Sequence, residues 1–293
     1  MLKFWANDEH AGGISATTLV HRAVQRIDTP AVTPGQTPGH LSRVLIEPGR
    51  WTEHDPFLLL AEDWYAPGTL GNHPHRGFET VTLVLDGVLE HSDNKGASGV
   101  LGPGDAQWLT AGRGVIHKEE PQTPQVHTLQ LWLNLPAADK LSDARSQELR
   151  LHELPVRRGA GFEAIVYSGS SGSTSATTAN HVPVTMVNAR LEPGATFVQD
   201  MPGWYNAFVY VLAGGGAFGV RRTRARAGQV LWFDNADAWA PSEITVLAGD
   251  EGARILLFAG EPLGEPVAAR GPFVMNTLAE LQQAYADYRD GKF

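Results

Sequence analysis

The 293-residue sequence contains no cysteine. Disulfides, thiolate metal sites and cysteine nucleophiles are therefore excluded, and any metal must be held by His, Asp or Glu. Long apolar stretches are also missing. No run of about 18 uninterrupted apolar residues, the length a membrane span needs, occurs anywhere. The opening MLKFWANDEHAGG has no apolar segment of secretory-signal length. A cytoplasmic protein without membrane association is expected. Positive charge is scarce: 23 Lys and Arg face 32 Asp and Glu, for a net charge of -9. That balance argues against a direct nucleic-acid partner. The one basic cluster, RRTRAR from Arg221 to Arg226, lies between strand-like runs and reads as a solvated strand face or hairpin. No glycine-rich phosphate loop leads into a helix, since AGGGA at 213–217 reads as a hairpin between two strands. GSSGS does not follow an apolar strand into a helix, as a serine nucleophile elbow would.

Strand signals fill most of the remainder. Short runs rich in β-branched and aromatic residues, such as TVTLVLDG, VHTLQLWLNL, VPVTMVNARL and ARILLFAG, are punctuated by 32 glycines and 19 prolines. This is the pattern of an all-β sandwich or barrel. Helical periodicity begins only at residue 277. There Thr277 and Glu280 form a capping-box pair, Leu278, Leu281, Tyr285 and Tyr288 share a face, and Gly291 supplies the stop.

An internal repeat organises the strands. TLVLDGVLEH (82–91) parallels VYVLAGGGAFG (209–219), and GPGDAQWLT (102–110) parallels RAGQVLWFD (226–234). Two copies of one β-barrel unit, about 40–136 and 181–262, account for this. The domain division expected is 1–140, including an N-terminal arm, and 141–293, including the helix. SGSSGSTSATT (168–178) reads as a loop on the approach to the second unit.

Within the first unit, His73 and His75 flank Pro74 at the start of a strand, where a missing N–H costs no ladder bond. Side chains two apart on a strand share a face, so both imidazoles point the same way. Farther on, His117 and Glu119 repeat the spacing after a glycine-rich turn. Together they supply three imidazole nitrogens and one carboxylate. That donor set suits a borderline divalent ion: Fe, Mn, Co, Ni, Cu or Zn. Sliding DMPGWYNAFVYVLAG onto HPHRGFETVTLVLDG places Asp200 and Pro202 at His73 and His75, and counting from Gly228 puts Pro241 at His117. The second barrel is expected to hold no metal.

The motifs HPHRGFETVT, GDAQWLTAGRGVIHKE, LQLWLNLP and GEPLGEPV…GPFVMNT…GKF resemble the pirin family of the cupin superfamily from about residue 40 to Phe293. The resemblance implies a bicupin: two jelly-roll barrels, one metal in the N-terminal barrel, and a short C-terminal helix. Its four ligands fall on His73, His75, His117 and Glu119, and iron is the metal most often implied. It also implies quercetin 2,3-dioxygenase-like chemistry on a small aromatic enol. Glu119, the only anionic member of the set, is expected to serve as ligand and, when displaced, as general base. The alternatives are a redox-sensitive co-regulator acting through a protein partner, or another cupin reaction such as an isomerase. A monomer or weak dimer is expected. Lys118 departs from the small polar residue expected between ligands, and the first forty residues match poorly.

Other polar residues carry weaker expectations. Glu79 keeps the parity of His73 and His75 and could accept from a ligating imidazole, or pair with Arg76 or Arg113. Arg113 meets either an anionic substrate or a rim carbonyl. His91 reads as a hydrogen-bonded turn residue rather than a substrate contact, and His127 as a candidate for the barrel interior. His10, His21, His40, His54, His152 and His181 read as surface or turn residues.

Overall fold

The computed structural model describes residues 18–35, 37–236 and 240–293. The start of the N-terminal arm, with His10, lies outside the described residues. Two large sheets carry the repeat strand for strand. The first sheet runs Arg145–Leu149, Ala106–Thr110, Phe78–Asp86, Val126–Asn134, Phe57–Tyr65, Leu41–Ile46 and Thr33–Pro34. The second follows the same order as Val24–Asp28, Val230–Phe233, Asn206–Phe218, Pro241–Gly260, Val184–Leu191, Phe162–Ser168 and Val156–Gly159.

The two sheets exchange strands across the expected division at residue 140. Val24–Asp28, from before the first barrel, edges the second sheet beside Val230–Phe233. Arg145–Leu149, from after residue 140, edges the first sheet beside Ala106–Thr110.

A four-stranded sheet closes the first barrel: His73–His75, Val115–Pro121, Leu89–Asp93 and Ser98–Leu101. In the second barrel the two layers are continuous, because Asn206–Phe218 and Pro241–Gly260 bend from one to the other. The glycine run at 213–217 is therefore not a hairpin but the bend of one long strand. The reason is steric: a Cβ at Gly214, Gly215 or Gly216 would fall 2.2, 2.4 and 2.1 Å from a backbone oxygen of a neighbouring strand. The basic cluster does form a hairpin, with Arg222 in the left-handed region at φ 53° and Thr223–Arg226 pairing back onto Gly215–Phe218. Within SGSSGSTSATT, Ser170–Ser171 and Thr174–Ser175 form a two-stranded ladder.

Burial places one core inside the second barrel, around Phe197, Phe218, Ile244 and Leu257. A second core lies between the barrels, where Phe57, Leu60, Trp108 and Leu131 meet Tyr167, Phe208, Tyr210, Trp232 and Phe258. Alternation explains the division of labour along Val126–Asn134: Leu129, Leu131 and Leu133 face the other barrel, while Gln130 and Trp132 occupy the opposite face.

The helix Leu278–Arg289 closes the chain. The Thr277 hydroxyl accepts from the Glu280 N–H at 3.2 Å, and the Glu280 carboxylate accepts from the Thr277 N–H at 2.9 Å, completing the capping box. Leu281 is buried and Tyr285 packs beside it, but Leu278 is 72% exposed. It sits in the first turn, ahead of the stripe that meets Phe273 and Met275. Thr277→Ala is expected to cost about 1 kcal/mol, read as a lowered denaturation midpoint with an unchanged slope.

Candidate metal centre

The strand His73–His75 pairs with Val115–Pro121 so that His117 lies directly opposite His73 and Val115 opposite His75. This register brings the three imidazoles together. Ring centroids are 4.8 Å apart for His73 and His75, 4.2 Å for His73 and His117, and 4.8 Å for His75 and His117. One nitrogen from each ring lies within 4.8 Å of the others. Among the described residues this is the only such cluster of His, Asp or Glu.

The turns that feed these strands are held from several sides. Gly77, at φ 85°, donates to Gly112 O at 2.8 Å. The Arg76 guanidinium donates to Arg113 O at 2.5 Å and to Asp287 at 2.8 Å, and stacks over Phe293 at 4.3 Å. Lys140, 2% exposed, donates through Nζ to Gly77 O, Asn134 Oδ1 and Val274 O. Burial pulls its pKa from 10.5 down to about 7. Between those values the unfolded chain holds a proton that the folded one has released, so this lysine makes stability rise with pH from about 7 to 10.5. Denaturation at stepped pH should show that slope, and Lys140→Met should flatten it.

His75 and His117 are buried with all four ring nitrogens unpartnered. The Pro272 carbonyl lies close enough to favour His75 protonation slightly, but not at hydrogen-bonding geometry. Burial pulls the His117 pKa down to about 3, and burial together with the neighbouring His117 and His73 rings pushes His75 well below its ordinary value. Both are neutral imidazoles with free lone pairs. His73 spends Nδ1 on Gly71 O at 2.8 Å and leaves Nε2 for the cluster. Buried polar nitrogens without partners carry a desolvation cost that a bound ion would offset. The residues present therefore fit a divalent metal.

Glu119 is buried on the His117 face of its strand. Its Oε2 accepts from Gln130 Nε2 at 3.0 Å, and its Oε1 has no partner. The tight cluster thus comprises three histidines, with Glu119 beside it and bonded elsewhere. Lys118 points outward and pairs with Glu120 at 3.0 Å.

An apolar shelf adjoins the imidazoles. Phe78 and Trp132 lie 5.0 and 5.3 Å from the His75 ring, and Leu58, Val274, Trp51 and Val267 pack with them. Neither Gln130 nor Trp132 was singled out by the sequence. Their signal was the alternation of Thr128, Gln130 and Trp132 with three leucines.

Several expectations are corrected. Glu79 neither reaches an imidazole nor pairs with Arg76 or Arg113. It accepts from Trp108 Nε1 at 3.0 Å and Thr110 Oγ1 at 2.7 Å, and burial raises its pKa. The left-handed Gly77 breaks the strand, so Glu79 belongs to the seven-stranded sheet and the parity from His75 is lost. His91 is in mid-strand, not a turn, with its two nitrogens on Glu148 and Gln107 at 2.8 and 2.9 Å. His127 does not line the interior. It stacks on Trp64 at 4.4 Å and bonds Glu62 at 2.9 Å, and Glu62 also accepts from Tyr210 of the other barrel at 2.6 Å. His54 is not a surface residue. It is 4% exposed and stacked on Trp232 at 4.2 Å, and burial lowers its pKa to about 4. Arg113 is a rim residue, paired with Asp143 at 3.1 Å and donating to Leu141 O.

At the matching end of the second barrel the register corrects the expected alignment. Pro202 lies directly opposite Pro241, whereas His75 lies opposite Val115, so Pro202 and Pro241 do not stand at His75 and His117. Met201 and Ile244 of these strands enter the barrel's core. The Arg22 guanidinium, fully buried, donates there to Ser242 Oγ and to the carbonyls of Tyr205, Pro202 and Gly203. Burial lowers its pKa to about 10, so it stays a cation at neutral pH.

Two jelly-roll barrels with a histidine cluster at the mouth of one define a bicupin. Comparison with known proteins narrows this. Residues 48–133 match the family model for pirin and 186–293 the model for the pirin C-terminal cupin domain. Pirin-like protein 2 of Arabidopsis thaliana is 40% identical over 247 residues, covering 81% of this chain and 75% of its own. The chain belongs to the pirin family. Among solved structures, GK1651 of Geobacillus kaustophilus is 50% identical with a TM-score of 0.83, covering 85% of this chain and all of its own. A quercetin 2,3-dioxygenase of Acinetobacter baumannii is 29% identical with a TM-score of 0.81, covering 93% of this chain and 98% of its own.

Proposed function

We propose that the protein is a metal-dependent dioxygenase that cleaves a flavonol or a similar enol-bearing aromatic. The observation that carries this is the convergence of three imidazoles, two of them neutral, buried and unpartnered. The likeness to a quercetin 2,3-dioxygenase over nearly the whole chain supports the substrate class. His73, His75, His117 and Glu119 would hold the metal, with iron first among Fe, Mn, Co, Ni, Cu and Zn. When bound, the metal would act as a Lewis acid toward the substrate enolate and provide a site for dioxygen.

The remaining roles belong to the chain. Trp132, half-buried beside His75 and backed by the fully buried Phe78, offers an aromatic surface for a flat substrate ring. Neutral His75 and His117 keep the pocket free of extra positive charge and leave Glu119 as the anionic group on this face. With Oε1 unpartnered, Glu119 can, when displaced as a ligand, take the proton from a substrate hydroxyl held within reach.

The test is metal analysis of the purified protein, followed by quercetin absorbance and oxygen consumption over a panel of flavonols. Coupled loss of both signals supports the reading. Stoichiometric metal with no turnover on any flavonol would overturn the substrate assignment.

A further inference from the structure

Beside the imidazoles, the Gln130 side chain is fixed at both ends of its amide. Trp132 Nε1 can only donate, and it lies 3.1 Å from Gln130 Oε1. That contact determines which way the amide faces, a choice its shape alone would leave open. The NH₂ must then point away from Trp132. It donates to Glu119 Oε2 at 3.0 Å and approaches Thr82 Oγ1 at 3.4 Å.

The consequence is an asymmetry in Glu119. One carboxylate oxygen is occupied by Gln130, and the other, buried, has no partner. Trp132 is also 5.3 Å from the His75 ring, so the indole that packs on one imidazole orients the amide that holds the carboxylate. We propose that Gln130, oriented by Trp132, is the positioning residue for Glu119. It fixes the carboxylate through Oε2, so that Oε1 is the oxygen presented to the metal and substrate. This assignment rests on the reading of the cluster as a metal centre, and Gln130 itself neither binds the metal nor touches the reacting atoms.

The experiment is a titration of metal-stripped protein with Co(II), recording affinity and the visible absorption of the bound ion, for the unaltered protein and for Gln130→Ala, Trp132→Phe, Glu119→Gln and the Gln130→Ala/Glu119→Gln pair. Outer partners of ligating groups are worth about 10- to 100-fold in metal affinity. Gln130→Ala should therefore bind Co(II) at least about tenfold more weakly and with an altered absorption band. Trp132→Phe, which keeps an aromatic ring but removes the N–H, should shift the same band with a smaller loss.

The decisive arm is the pair. If Gln130 acts through Glu119, its removal costs nothing further once Glu119 is Gln. An equal Gln130→Ala penalty in both backgrounds, or Gln130→Ala binding like the unaltered protein, would overturn the proposal while leaving the metal reading intact. Failure of the unaltered protein to take up Co(II) would overturn the metal reading and this assignment with it. Thermal midpoints of the metal-free variants identify a merely structural loss, which would appear without Co(II) and be the same in both backgrounds.

Discussion

Replacing His75 or His117 by alanine is expected to reduce metal affinity by more than about 100-fold, above the range that outer partners command. Each supplies a neutral ring with two unpartnered nitrogens to a three-imidazole cluster, and no other described His, Asp or Glu group could substitute. The same substitutions should remove any turnover of flavonols. The opposite behaviour is expected of the metal-free protein. His117→Leu, which fills much of the ring's volume, should leave its stability unchanged or raise it, because it removes two buried polar atoms that bond to nothing. Metal content by elemental analysis and thermal midpoints with and without a chelator check both halves. A His117→Leu protein that is much less stable without metal would show that the ring serves the fold.

The second large effect concerns the layer between the barrels. Phe208 is fully buried and stacks on Phe258 at 4.8 Å, with Trp232 at 4.8 Å and Phe57 edge-on at 5.1 Å. Phe57 belongs to the first sheet and the other three to the second. Phe208→Ala leaves a cavity in a core shared by both halves and should cost about 3–5 kcal/mol, a large part of the roughly 5–15 kcal/mol typical of a whole protein. Both barrels should still unfold in one transition, at a lower denaturant midpoint. Two separate transitions, with the histidine barrel unaffected, would contradict a shared core.

How far these features could be read from the sequence depends on the range of the interactions that fix them. His73, His75 and His117 are legible because each ligand pair follows the two-residue strand period, whereas their counterparts in the second copy are not, since a slip of register there leaves no trace in the sequence. Glu79 is misread by the same rule, since a single left-handed glycine at 77 resets the parity. The turn at 213–217 is misread because glycines mark both a hairpin and a bend, and only neighbouring backbones decide between them. His54 and His127 carry no local sign that they sit against the other barrel, as their partners Trp232 and Tyr210-bonded Glu62 are brought in by tertiary packing. Val24–Asp28 and Arg145–Leu149 are short and largely polar, so nothing local says which sheet each will join.

The exchange of those two edge strands decides whether the halves can be expressed apart. The duplicated barrel does not divide into its two halves, because a cut at residue 140 would strip one sheet of Arg145–Leu149 and the other of Val24–Asp28. Each fragment would expose an unpaired strand edge together with half of an aromatic core, surfaces prone to aggregation. Separating the copies at residue 140 is therefore expected to give two fragments that aggregate when expressed alone, which the soluble yield of each would check.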